Sequence, residues 1–469
     1  MKKIYIFSIL LTLSSTLMAQ SLGFRDLGLL FTQENYNGTA RYNAMSGAFG
    51  ALGGELSAIY QNPAGGAVFA KSEVSVTHSF SRLNTDAIYY GNTSFNSNTS
   101  SRFPQLGIVL VLDSPYTDSN WTKFTFGFNY SMLNDFRKNY STLGNNKNFV
   151  RYNLHPLDSE DIPYNNPEEQ YFENNTNGIS EVYTLSIASS YKDLFYIGSS
   201  LNFHAIKFSQ ETILNEISSD DNDHILDTQY SQYISESSTG VSFGIGMIVK
   251  PFRNLRLGLA YQSPIWYPVI TEESNAIDYD PANGYSGYQE QGYLDIYSEA
   301  EGYYQNTYSN YPGQNLYEYS LNTPKKWTVS AAITLGQHGL ISIDYHQKNY
   351  NFIRLNKGYD FSETNKEISN LLTRARGIRG GGELRFNQIS LRGGAFLEES
   401  PYKFEESNIY KKGISLGLGL KFKNTRLDFA YQYSKTNDQY SIYHSSEPIQ
   451  NIALLNTTRR ITSTLSFTF

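Results

Sequence analysis

The sequence predicts an all-β fold, a transmembrane barrel of fourteen antiparallel strands. Fourteen separate stretches alternate apolar and polar residues with period two, the pattern of a strand with one apolar face. The connections between them alternate short and long, as turns at one end of a bacterial barrel oppose loops at the other. Beyond the first twenty residues no window holds the ~18 apolar residues that a membrane-spanning helix needs.

The first nineteen residues read as a secretory signal peptide: Met1-Lys2-Lys3, an apolar run over 4–13, then small polar residues to Ala19. Cleavage there would leave 35 Lys and Arg against 44 Asp and Glu, a net of −9, which argues against nucleic acid as a partner. The 469 residues include no Cys, 39 Tyr and 28 Phe. Without Cys there is no disulfide framework, thiolate metal site or lipid anchor. An exported, tyrosine-rich chain of mean hydropathy −0.44 fits an outer-membrane barrel better than a soluble enzyme.

Residues 20–39 carry an apolar cluster of Phe24, Leu27, Leu29, Leu30 and Phe31, suited to contacts with a surrounding wall. Residues 40–66 follow, ARYNAMSGAFGALGGELSAIYQNPAGG, of which fourteen in 27 are Gly, Ala or Ser. A stretch so poor in bulk cannot build its own core and must pack closely against something around it. Pro63 biases Asn62 away from helix, so the chain turns there.

The strands then follow in order. The first covers 73–81, with Val74, Val76, His78 and Phe80 on one face, and the second carries Leu106, Ile108, Leu110 and Leu112. Phe124, Phe126, Phe128 and Tyr130 mark the third, Tyr183, Leu185 and Ile187 the fourth, Ile197, Leu201 and Phe203 the fifth. Val241 to Val249, Leu255 to Tyr261, Trp327 to Leu335 and Ile341 to Tyr345 give the sixth to ninth. Ile378 with Leu384, Ile389 with Leu391, and Ile414 with Leu418 give the tenth to twelfth. Leu427 to Tyr433 and Ile461 to Phe469 are the last two. An even number closes an up-and-down barrel. Short links fall at 114–120, 192–193, 250–254, 336–339, 387 and 423–424, whereas 135–178, 209–238 and 268–323 read as long extracellular loops. Tyr130, Tyr261, Trp266 and Tyr345 stand at strand ends, as an interfacial girdle would.

The N-terminal stretch resembles the hatch of the FadL-type outer-membrane transporters of long-chain fatty acids and hydrocarbons. The likeness rests on Gly47-Ala48, Gly50-Ala51, Ser57-Ala58 and Asn62-Pro63-Ala64-Gly65, directly ahead of the first strand. It implies a 14-stranded barrel over 71–469, plugged by a hatch formed from residues 20–70. It also implies passive uptake of hydrophobic small molecules, fatty acids or aromatic hydrocarbons. Ligand would be caught at extracellular loops and enter an apolar lumen pocket beside the hatch. The terminal Leu465-x-Phe467-x-Phe469 resembles the signal by which the barrel-assembly machinery recognises its clients. Both resemblances place the chain in the outer membrane of a Gram-negative bacterium, among lipid and lipopolysaccharide.

Arg379, Glu383, Arg385 and Arg392 fall on the lumen face of strands ten and eleven. Such a cluster could hold a carboxylate bidentately, or pair with N-terminal acids such as Asp26, Glu34 or Glu55. Gly380, Gly381 and Gly382 suggest a bulge or a close approach of the hatch, and Gly127 is the candidate for a kink in strand three. The loop 268–323 holds eleven Tyr and nine Asp or Glu with no Lys or Arg, a surface for apolar ligands or for protein. The latter supports the alternative of a barrel that partners a secretion or surface-display system. The seven His (78, 155, 204, 224, 338, 346, 444) show no metal spacing, Gly-x-Ser-x-Gly is absent, and no cofactor motif appears, so no enzyme, metal or cofactor is expected.

Overall fold

A computed structural model describes residues 21–35, 37–114, 119–147, 151–154, 161–222, 225–275, 292–298, 302–308, 315–403, 409–442 and 450–469. The expected signal peptide, residues 276–291, 299–301 and 309–314 of the loop 268–323, and His155, His224 and His444 lie outside the described residues.

Fourteen strands form the ring: β1 Glu73–Tyr89, β2 Asn92–Asp113, β3 Trp121–Asp135, β4 Asn166–Tyr191, β5 Phe195–Ser219, β6 Ile225–Phe252 and β7 Leu255–Gln262, then β8 Lys326–Thr334, β9 Gly339–Asn349, β10 Arg374–Phe386, β11 Ile389–Glu399, β12 Ile409–Phe422, β13 Thr425–Tyr440 and β14 Ile452–Thr468. Each pairs antiparallel with its sequence neighbours. β14 returns to β1, from Glu73↔Thr468 to Ile88↔Ala453, and closes the barrel. Closure leaves no edge strand, which the membrane interior demands because no water is there to satisfy free backbone groups.

The polarity of the wall is inverted relative to a soluble protein. Leu416 is 63 % exposed while Ser415 beside it is 2 % exposed, and the same alternation places Phe124, Phe126, Ile341, Ile343 and Ile461 outside. The apolar band therefore faces outward, where lipid is the solvent, and small polar residues face in.

Three segments expected as loops are strand over most of their described residues, 268–323 among them with Trp266–Asn275, Gly292–Ser298, Gly302–Tyr308 and Asn315–Asn322. The β5–β6 ladder continues from Phe195↔Val249 to Ser219↔Ile225, across most of 209–238. Within 135–178, Lys138–Gly144 pairs with β4. The strands continue past the band because backbone pairing does not require an apolar exterior, whereas sequence reasoning ended each strand where the outward apolar residues stopped.

The N-terminal segment runs inside this frame as α1 Phe24–Thr32, α2 Ala40–Ala44 and two 3₁₀ turns, Leu56–Ala58 and Pro63–Val68. Thr39 caps α2 by accepting from the Tyr42 amide at 3.1 Å. The segment's polar groups meet the inner faces of strands all round the ring. The Ala40 amide donates to Thr464 of β14 at 2.7 Å, and Ser415 of β12 donates to the Ala44 carbonyl at 2.9 Å. Asp344 of β9 accepts from the Gly50 amide at 2.9 Å and from Gln61 at 2.7 Å. Gln262 of β7 donates to the Tyr60 carbonyl at 3.0 Å, and Lys123 of β3 to that of Phe69 at 2.9 Å.

Wall glycines make the approach possible. A Cβ on Gly258 of β7 would lie 2.6 Å from the Gly50 carbonyl oxygen, and one on Gly394 of β11 2.6 Å from the Met45 carbonyl carbon. Gly198, Gly246, Gly381 and Gly417 are crowded in the same way by Ala64, Asn62, Met45 and Ala44. At Gly198, Gly258, Gly381 and Gly394 the segment's backbone packs directly on the wall, and at Gly246 and Gly417 the side chains of Asn62 and Ala44 fill the space, so the wall needs glycine there.

Candidate functional site

The hatch-like motif is a set of internal ties. Asn62 accepts from the Ala64 amide at 3.1 Å and donates to the Gly50 carbonyl at 2.6 Å, fastening the Asn-Pro turn to the preceding loop. Gly65 packs on Gly53 and accepts from the Gly54 amide at 2.9 Å. Ser57 accepts from the Thr39 amide at 2.8 Å, and Ala48, Ala58 and Ala64 are fully buried. Gly47 takes a left-handed φ of 77°, which favours glycine.

The four residues expected as one lumen cluster divide into two groups. Glu383 of β10 lies 2.6 Å from Arg392 of β11, is also paired with Arg385, and receives Arg41 of α2 at 2.9 Å. Arg392 reaches Asp428 of β13 at 2.6 Å. Arg379 stands two inward positions farther along β10, beyond Gly381, and pairs with Glu398 of β11. Among the described residues, none of the four makes an ion pair with Asp26, Glu34 or Glu55. The polarity is the reverse of that expectation: the N-terminal segment brings a cation, Arg41, to a wall carboxylate. Alternation put these residues on the inner face, but it could not reveal which partner an Arg in ARYNA would meet.

The ladders at Gly380–Gly382 run without a register shift, so there is no bulge, and only Gly381 touches the segment. The β3 ladders also run in register through Gly127; irregularities fall at Trp121/Lys123 and Met132/Asn134. A Cβ at Gly127 would lie 2.5 Å from Ser186 Oγ and 3.2 Å from Ile59 Cδ1, so this glycine makes room for the segment.

Above the segment is a cavity of about 230 Å³ between the α1–α2 link and the inner faces of β8 to β14. An apolar pocket was expected, but its lining includes Lys138, Lys326, Lys348, Arg376, Arg379, Lys411 and Arg460 against Glu34, Glu398 and Glu399. Glu34 neutralises two lysines at once, 2.7 Å from Lys326 and 3.0 Å from Lys348. Lys138 pairs with Asp438 at 3.1 Å and Arg376 with Glu399 at 3.8 Å. Lys411 donates to Asn35, and Arg460 to Gln432 at 3.4 Å; among the described residues neither meets a carboxylate within 4.0 Å. The cavity thus carries excess positive charge in a confined space. The sequence marks Lys411 and Arg460 only as inward positions, near the start of β12 and at the middle of β14.

Leu83, Tyr350 and Phe396 add apolar surface to its lining, and a closed apolar core lies beside α1. Leu27, Leu29 and Phe31 of α1 pack with Phe136, Phe208, Ile265, Ile353 and Leu355 of the wall. At the long-loop end, Pro268, Val269, Leu316, Tyr317, Tyr319 and Tyr359 line an open groove of about 630 Å³.

Ring, band and lumen together define a fourteen-stranded outer-membrane β-barrel of the Gram-negative type. Its fold is that of the FadL-type channels. A FadL homologue of Pseudomonas aeruginosa matches with a TM-score of 0.58 at 13 % identity, over 93 % of this chain and 100 % of that one. The Pseudomonas putida toluene transporter TodX matches at 0.55 with 12 % identity over 93 % and 99 %. The CymD monoaromatic hydrocarbon channel matches at 0.53 with 11 % identity over 93 % and 99 %. No protein-family model and no curated protein sequence matches the chain.

Proposed function

We propose that this barrel is a passive outer-membrane channel for hydrophobic small molecules that carry an anionic head, long-chain fatty acids ahead of aromatic hydrocarbons. The observation that carries the reading is the cavity above the segment, where Lys411 and Arg460 share confined space with the apolar side chains of Leu83, Tyr350 and Phe396. Arg and Lys can hold a carboxylate by charge-assisted hydrogen bonds, and the chain of such a molecule belongs against apolar side chains. A neutral aromatic ring would leave those cations with nothing to offset their desolvation.

In this reading residues 20–70 are the hatch and 71–469 the barrel. Ligand is collected at the aromatic groove near Tyr317 and Tyr359 and passes to the cavity, which the segment closes below. The fold-mates named for a FadL homologue, for toluene and for monoaromatic hydrocarbons support a channel rather than an enzyme. The test is uptake by cells with and without the gene, using labelled oleate and labelled toluene side by side. Loss of oleate uptake alone is the expected result. Loss of toluene uptake alone refutes the anionic-head reading. Unchanged uptake of both, with surface protein display lost, favours the assembly role.

A further inference from the structure

We infer that the short-turn mouth of the barrel holds a second anion-binding site, centred on Lys250 and Arg256, for a carboxylate or phosphate group. Lys250 lies on the inward face of β6, two residues from the fully buried Ile248. Arg256 lies on the inward face of β7, two residues before Gly258, against which the segment packs. The β6–β7 ladder pairs Leu255 with Phe252 and Leu257 with Val249, so Arg256 stands across the strands from Lys250.

Like charges facing each other across a ladder repel, yet among the described residues neither has a carboxylate within 4.0 Å. Lys250 Nζ sits 5.0 Å over the Tyr196 ring, and Arg256 Nη1 donates to the Leu52 carbonyl. Two more inward cations stand close enough for their charges to act on this pair, Lys123 on Lys250 and Arg385 on Arg256. Lys123 is held by the Phe69 carbonyl and Arg385 by Glu383. The carboxylate of Asp193, in the β4–β5 turn, is the one whose charge reaches Lys250, and it makes no ion pair with it. Four cations gathered under the segment, two of them tied to its carbonyls, form a cradle that a bound anion would complete.

Anion binding here stands on the cation geometry alone. Its role as the exit for cargo, through the mouth rather than the wall, rests on the function proposed above. With β3 paired unbroken through Gly127, an anionic head released from the cavity meets this cradle next on the short-turn side.

The test titrates octanoate calorimetrically into the full-length barrel in maltoside detergent, with heat-modifiable gel migration as the check on folding. Wild type is expected to show two sites. Lys250→Glu should weaken one at least tenfold and leave the other, whereas the pair Lys411→Gln and Arg460→Gln should do the converse. If Lys250→Glu does not fold, Lys250→Gln carries the same comparison, since that side chain donates no hydrogen bond among those described. Binding insensitive to Lys250 and Arg256→Gln overturns the inference and leaves the cavity reading standing. A single site sensitive only to Lys250 upholds the inference and removes the cavity from the proposed function.

Discussion

Arg41 Nε donates to Glu383 Oε2 at 2.9 Å, so a cation of the N-terminal segment completes a buried carboxylate that Arg385 and Arg392 already flank. Both partners are almost wholly shielded from water. Removing one member of such a network leaves charge buried without compensation, at a cost of about 3–5 kcal/mol. Glu383→Gln should therefore lower the temperature at which the folded band converts to the unfolded one in heat-modifiable gel migration. An unchanged conversion temperature would show that the network contributes nothing to the fold.

The wall glycines give a steric prediction. Gly258→Ala and Gly394→Ala each place a methyl where the segment's backbone already lies, and overpacking of this kind costs about 1–3 kcal/mol. Gly382→Ala is the control, because its Cβ would meet nothing closer than 3.6 Å. The first two variants should make residues 40–66 more sensitive to protease, while the control resembles wild type. Equal sensitivity in all three would place the segment away from the wall.

The same residues show how much of the fold is legible in the sequence. Period-two alternation at Phe124, Phe126 and Phe128 told inside from outside because lipid imposes the apolar face, and it counted fourteen strands correctly. It could not assign a reason to Gly127, since a glycine that permits a kink and one that admits Ile59 look alike in sequence. Nor could it foresee the charged cavity: Lys326 and Arg460 lie on strands 134 residues apart in the chain, and only closure of the ring brings them to one space.

Ligand affinity should follow the cavity cations. A hydrogen bond to a charged group contributes about 1.5–3 kcal/mol, so Lys411→Gln with Arg460→Gln should weaken oleate binding by roughly two orders of magnitude or more. Binding of dodecanol, which has no charge to place, should change little. Equal losses for both would mean that the variants act through structure rather than through the head group.

A pH dependence is expected beyond the apolar band. Glu236 and Glu272 face each other in register on β6 and the neighbouring strand Trp266–Asn275, and Tyr319 donates to Glu236 at 3.1 Å. Burial raises the proton affinity of both, and the charge of the nearby Glu272 raises that of Glu236 further. A raised carboxyl pKa means that the folded state holds the proton longer than the unfolded one. This region is thus most stable below the ordinary glutamate range and loses stability as pH rises through the raised values. Amide exchange over 231–238 and 266–275, corrected for intrinsic rates, should be faster at pH 8 than at pH 5. Glu272→Gln should slow it at pH 8 and flatten the difference. A wild-type profile already flat from pH 5 to 8 would contradict the shared-proton pair.

The placement of the N-terminal segment within the ring is tested most directly by a cross-link. The chain has no cysteine, so Ser46→Cys with Ser415→Cys would introduce the two thiols alone, at positions whose hydroxyls lie 2.8 Å apart. Under mild oxidation near-complete disulfide formation is expected, read as lost maleimide labelling and faster gel migration that reductant reverses. Two thiols that stay free and label fully in the folded barrel would put the segment elsewhere and contradict it.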